Sequence, residues 1–107
     1  MELSGKKLGL MISTAPEHPN LATALGLADA ALARGADVYV YLIDDGVRAL
    51  ADRRLRALPA RGAKLFACAY GCQKRRIPLE DAADVTYCGL FVLTDIINGT
   101  DRFISLN

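Results

Sequence analysis

Three cysteines (Cys68, Cys72 and Cys88), the only histidine (His18) and the cationic run Lys74-Arg75-Arg76 are the residues of this chain best suited to chemistry. A thiolate is a strong nucleophile toward sulfur, and unpaired helix amides and nearby positive charge favour it. Cys68 follows the apolar run Lys64-Leu-Phe-Ala and precedes a segment, 69–76, that reads as one or two helical turns. It therefore ends a strand and opens a helix, where such amides are found. Lys74, Arg75 and Arg76 follow a turn or two later and add positive potential where they reach back toward the sulfur or toward a bound anion or partner. The competing reading is packing, because cysteine is among the most buried residue types.

Cys72 lies four residues beyond Cys68, on the same face of a helix, which suits a resolving thiol, a second carrier or plain packing. The C-x3-C spacing is not the C-x-x-C of a thioredoxin-type redox pair. Cys88 reads as the cap of a later helix, and its thiol approaches Cys68 if the strand before it runs parallel beside the strand before Cys68. With His18, the three cysteines make a numerically complete zinc set. Their spacing matches no standard zinc motif, and so large a core needs no metal staple, so no metal is expected. Arg75 stands where a radical iron–sulfur motif needs its third cysteine. His18 falls in the first strand–helix loop, where it serves as a proton carrier, orients an anion or is simply exposed. Asp44 and Asp45 could bind a metal or pair with the basic segment, but capping the helix that follows is the more economical reading. Neither G-x-G-x-x-G nor a Walker-type loop follows the first strand, and that strand does not end in the acidic pair of a phospho-receiver.

The chain must supply elements that position these groups. Its 107 residues, 52% hydrophobic and 23% charged, suit one soluble domain with a shared core and exclude a disordered chain. No membrane span is expected. Lys6-Lys7 followed by Leu8–Ile12 superficially resembles a signal peptide. The apolar run is too short, however, and Pro16, Glu17 and His18 occupy the cleavage region, so a cytoplasmic protein with reduced thiols is expected. Charge is unevenly spread: residues 48–76 hold nine of the thirteen basic residues against one acid, Asp52. That segment is either solvated helix surface or a patch for an acidic partner.

Apolar runs at Lys7–Ser13, Asp37–Ile43 and Lys64–Cys68 read as strands, as do a short candidate at Asp84–Tyr87 and a last one at Arg102–Leu106. Leu21, Leu25, Ala28 and Leu32 mark a helix capped at His18 or Asn20 and stopped by Gly35. Val47, Leu50, Ala51 and Leu55 mark a second helix, ending before Pro59. Leu79–Ala83 reads as another helical turn, and Leu90, Leu93 and Ile97 mark a helix closed by Asn98-Gly99. The alternation implies an α/β fold: a three-layer, doubly wound, mostly parallel five-stranded sheet of flavodoxin- or Rossmann-like topology. Such sheets gather chemistry beyond the carboxyl ends of their strands, here the loops 13–20, 44–46, 68–72 and 87–90. All three cysteines, His18 and the aspartate pair fall in or beside those loops.

The segment Gly62-Ala-Lys-Leu-Phe-Ala-Cys68, followed by Ala-Tyr-Gly-Cys-Gln-Lys-Arg-Arg-Ile77, resembles the DsrE/DsrF-like family, which includes the TusD-type subunits of sulfur relays. Tyr41-Leu-Ile-Asp-Asp-Gly-Val47 is similar to the family's second strand and turn, and Thr100–Leu106 to its terminal strand. The resemblance places the active cysteine at Cys68. It implies a DsrEFH-like fold over residues 1–107 and a cytoplasmic sulfur carrier or sulfurtransferase without an organic cofactor. Donor and acceptor proteins are its implied partners, and the chain is usually a homotrimer, hexamer or hetero-oligomer. Cys72 and Cys88 depart from the family pattern, standing where a small residue and Ser or Gly are usual. The contrasting reading is a non-catalytic oligomeric scaffold whose basic 48–76 segment recruits an acidic protein or RNA, although nucleic acid is not the expected partner.

Overall fold

A computed structural model describes residues 2–80 and 83–107. Five strands, β1 (Lys7–Ile12), β2 (Asp37–Leu42), β3 (Lys64–Cys68), β4 (Val85–Cys88) and β5 (Arg102–Leu106), form one sheet in the order β4-β3-β2-β1-β5. Every pairing is parallel. Helices α1 (Asn20–Ala33), α2 (Arg53–Arg56), α3 (Ala69–Lys74) and α4 (Leu90–Gly99) lie in the crossovers. The chain winds from β1 to β4 in one direction, then returns through α4 to place β5 on the far side of β1. This is the expected three-layer, doubly wound α/β architecture.

Alternation along the strands divides the sheet into two unequal faces. Leu10, Ile12, Val38, Val40, Leu42, Leu65 and Ala67 are buried on one face, in a core shared with Leu21, Ala24, Leu25 and Ala28 of α1. Met11, Tyr39 and Phe66, on the other, are only half-buried. Helix α4 crosses that face at β1 and β5, so close that a Cβ on Gly9 would stand 3.0 Å from the Ile96 side chain.

Several elements differ from the sequence reading for identifiable reasons. The second helix is two pieces: a 3-10 segment, Asp44–Ala51, and the four-residue α2. Asp52 has extended backbone between them and caps α2, accepting from the Arg54 and Leu55 amides at 2.8 and 3.3 Å. Val47, Leu50 and Leu55 are buried and Ala51 is exposed, so the apolar spacing marked three of its four residues correctly while the Asp52 cap divided the helix. Asp44 and Asp45 make no side-chain cap; Asp44 turns the chain at φ 52° and Asp45 pairs with Arg75. Pro19 rather than His18 or Asn20 is the α1 cap residue, and Gly35 stops that helix at φ 89°. Leu79 and Glu80 are irregular, and residues 81–82 of the expected turn at Leu79–Ala83 lie outside the described residues. Strand β4 begins at Val85, because Asp84 is held in the preceding turn by Arg56 through contacts of 3.0 and 3.1 Å.

Gly46 is the tightest point beneath the site. A Cβ there would fall on the carbonyl oxygen of Ile12, which accepts the Ile43 amide at 3.0 Å. A methyl group cannot displace backbone held in that way. Gly46→Ala is expected to lower stability by about 3 kcal/mol, read as a lower midpoint in urea unfolding.

Candidate thiol site

Cys68 is the last residue of β3 and the cap of α3, with its Sγ accepting the Gly71 amide at 3.4 Å. Strand pairing brings Cys68 directly opposite Cys88, the last residue of β4. Neighbouring strands run about 4.8 Å apart and partners in register point to the same face, so the two thiols lie side by side. Cys88 therefore does not cap α4 as the sequence suggested; it closes β4, and Gly89 takes the cap position. The third group is Tyr41, which β2 sends to the same face as Phe66. The fully buried Tyr41 hydroxyl donates to the Gly89 carbonyl at 3.0 Å. Burial, then the adjacent Cys88 and Cys68, push its ionisation well above the ordinary tyrosine range.

Cys68 and Cys88 border a cavity of about 570 Å³, whose lining also includes Ile43, Asp44, Tyr70, Lys74, Arg75 and Leu90. Cys68 is 7% exposed and Cys88 is partly exposed, so the cavity is their route to solvent. Cys72 is 0% exposed and is not part of the cavity wall; its place one turn into α3 buries it in the core. Burial raises the Cys72 thiol and the neighbouring Cys68 adds to this, with Arg75 opposing. Burial also raises Cys88, the Tyr41 hydroxyl partly offsets that, and Cys68 raises it further.

The expected anion-binding residues separate. Lys74 and Arg75 line the cavity. Arg75 is already engaged, its Nε donating to Asp45 at 2.9 Å and a terminal nitrogen to the Gly71 carbonyl at 3.2 Å. Arg76, at φ 58° beyond α3, is exposed and outside the cavity wall. His18 is also outside it; its Nδ1 accepts the Asn20 amide at 3.0 Å in the first loop. Among the described residues no three His, Cys, Asp or Glu side chains converge on a possible metal position. No described helix is long and apolar enough to cross a membrane.

Sequence reasoning missed Tyr41 and the apolar mouth. The alternation in Asp37-Val-Tyr-Val-Tyr-Leu42 already put Tyr41 on the same face as Tyr39, and a buried tyrosine needs a partner for its hydroxyl. Tyr70 and Leu90 are 69% and 61% exposed at the cavity edge, and Phe91 beside them is 90% exposed.

The architecture and the thiol pair define a parallel α/β domain with two thiols on the carboxyl edge of the sheet. The chain belongs to the DsrE/DsrF-like family, whose model matches residues 6–106. The crystal structure of the ychN protein of E. coli superimposes with a TM-score of 0.84 at 20% identity, covering 94% of this chain and 99% of that one. A conserved protein of unknown function from Bacteroides thetaiotaomicron gives a TM-score of 0.65 at 16% identity, covering 94% and 95% of the two chains. No curated protein matches by sequence. At these identities the structural likeness establishes the fold.

Two outcomes follow from the thiol environments. In the native protein a small alkylating reagent should modify Cys88 and Cys68 before Cys72, which should react only on unfolding, as read by peptide mass spectrometry over time. Because the fold raises the pKa of Cys72 and Cys88, it favours their protonated forms. That stabilisation is complete below the ordinary thiol value of 9.0 and is lost as pH rises through the raised values. The urea midpoint should therefore fall above that pH, and less steeply in Cys72→Ala when each protein is compared with its own neutral-pH value.

Proposed function

We propose that the protein is a cytoplasmic, single-domain sulfur carrier that holds sulfane sulfur as a persulfide on Cys68 and passes it to a partner thiol. The observation that carries this reading is the position of Cys68, capping α3 with the Gly71 amide on its sulfur and bordering the cavity. The Cys68 thiolate attacks the outer sulfur of a donor persulfide. A new S–S bond forms, the donor's S–S bond breaks, and the donor leaves as a thiolate. An acceptor thiolate then attacks the same outer sulfur and Cys68 leaves. Lys74 supplies positive charge at the cavity for the anionic terminal sulfur, and no organic cofactor or metal takes part. Exposed Tyr70, Leu90, Phe91 and Ile97 support a homo-oligomer, of the trimeric or hexameric kind the resemblance implies, or docking of donor and acceptor proteins beside the cavity.

The scaffold reading finds less support. Five of the arginines in the basic segment, Arg48, Arg54, Arg56, Arg61 and Arg75, are paired with the chain's own carboxylates. Folding thus neutralises much of the patch that an acidic protein or RNA would use.

Incubation with a low-molecular-weight persulfide should add one sulfur atom to Cys68, located by peptide mass spectrometry. Cys68→Ser should abolish transfer of that sulfur to an acceptor thiol. Transfer undiminished in Cys68→Ser would refute the carrier reading.

A further inference from the structure

We propose that Cys88 is the resolving thiol of this site: when no acceptor is present it attacks the inner sulfur of the Cys68 persulfide, forms a Cys68–Cys88 disulfide and expels hydrosulfide. This rests on the carrier reading of Cys68 and adds a further activity, reductive release of the carried sulfur.

The geometry singles out Cys88. It is the register partner of Cys68 on a neighbouring parallel strand, with its side chain on the same face. The strand spacing of about 4.8 Å falls within the Cα separation of roughly 4.4–6.8 Å that a disulfide spans. Both cysteines are free and both border the same cavity. Strand β4 is the edge of the sheet and Cys88 is its last residue, so closing the bond disturbs pairing on one side only. Cys72 is a poorer candidate: it is fully buried and outside the cavity wall, and the Cys68 sulfur is directed to the Gly71 amide.

The step needs no outside oxidant. The Cys88 electron pair makes the new S–S bond, the pair of the persulfide bond departs on the terminal sulfur, and the proton that Cys88 gives up passes to that sulfur, which leaves as hydrosulfide. The oxidising equivalent is the sulfane sulfur itself, which is reduced to sulfide. A cellular thiol reductant returns the disulfide to two thiols and is itself oxidised to a disulfide.

The groups around Cys88 set the pace. Tyr41 faces it from β2 and Cys68 from β3, while Lys74 and Arg75 from α3 and Asp44 after β2 share the cavity. Helix α4 contributes Gly89 and Leu90. Burial keeps Cys88 protonated at neutral pH, so resolution is slow there and a loaded Cys68 has time to meet its acceptor.

The test loads the full chain with glutathione persulfide, removes the donor, and follows intact mass and free sulfide without an acceptor. In the wild type the added sulfur should disappear as sulfide is released in equal amount. A species two hydrogens lighter than the reduced chain should replace it, mapping to a Cys68–Cys88 disulfide. Cys88→Ser should keep its sulfur roughly tenfold longer or more, and Cys72→Ser should behave as wild type. Equal persistence in wild type and Cys88→Ser, a Cys68–Cys72 disulfide, or movement of the sulfur onto Cys88 would each overturn the resolving role while leaving the carrier reading intact. Failure of Cys68 to take up sulfur even in Cys88→Ser would overturn both.

Discussion

The site depends on the register of β4 against β3, which runs from Leu65 opposite Val85 to Cys68 opposite Cys88. A slip of one residue would turn Cys88 to the other face of the sheet and leave Cys68 without a second thiol at the cavity. A four-residue edge strand is weakly held by its backbone alone, and three side-chain contacts hold this one. Val85 is buried in the core, Arg56 grips Asp84 at the entrance, and Tyr41 binds the Gly89 carbonyl at the exit. The Arg56 guanidinium also holds the Asp84 carboxyl below the usual range, so the clamp is charged at neutral pH. Tyr41 serves two purposes: it fixes the end of β4 and it places a hydroxyl beside Cys88.

The same clamp shows how the uneven charge of the sequence is resolved in space. Bases concentrated in the middle of the chain meet acids drawn largely from outside it: Arg48 meets Glu17, Arg56 meets Asp84, Arg61 meets Asp29 and Arg75 meets Asp45. Most of these pairs are exposed and contribute little singly, but together they remove the appearance of a basic patch. The Arg75 pairing matters most to the site. It leaves Lys74, among the described cations of the cavity wall, as the one without a carboxylate partner.

Where one local pattern dominated, the sequence was sufficient. The β-branched and aromatic alternation of residues 37–42 and the apolar run of 64–68 could only be strands between turn residues, and the carboxyl-edge rule then put Cys68 on the rim. Residues 44–56 were harder to read because their apolar spacing fits one helix, whereas the backbone break comes from Asp52 capping inside that span. Cys88 was misplaced by one element because Cys-Gly before Leu90 resembles a cap, and only pairing with β3 extends the strand to include it. Tyr41 depends on contacts across three strands. No local window contains Gly89, Cys68 and Cys88 together.

The two extra cysteines show how environment, rather than residue type, decides what a thiol can do. Cys72 is nearer to Cys68 in sequence, yet α3 carries it into the core, where it fills space and its ionisation is opposed by burial. Cys88 is twenty positions away, yet strand pairing brings it beside Cys68 at the edge of the same cavity. A carrier must keep its persulfide from solvent and still yield it to a partner. In the proposed carrier the low exposure of Cys68 would serve the first need, and the cavity with its apolar mouth at Tyr70 and Leu90 the second. Cys88 lies at that same cavity beside Cys68, which is the placement the proposed resolving role requires. The burial that raises its pKa opposes formation of its thiolate, which in the proposed scheme favours carriage.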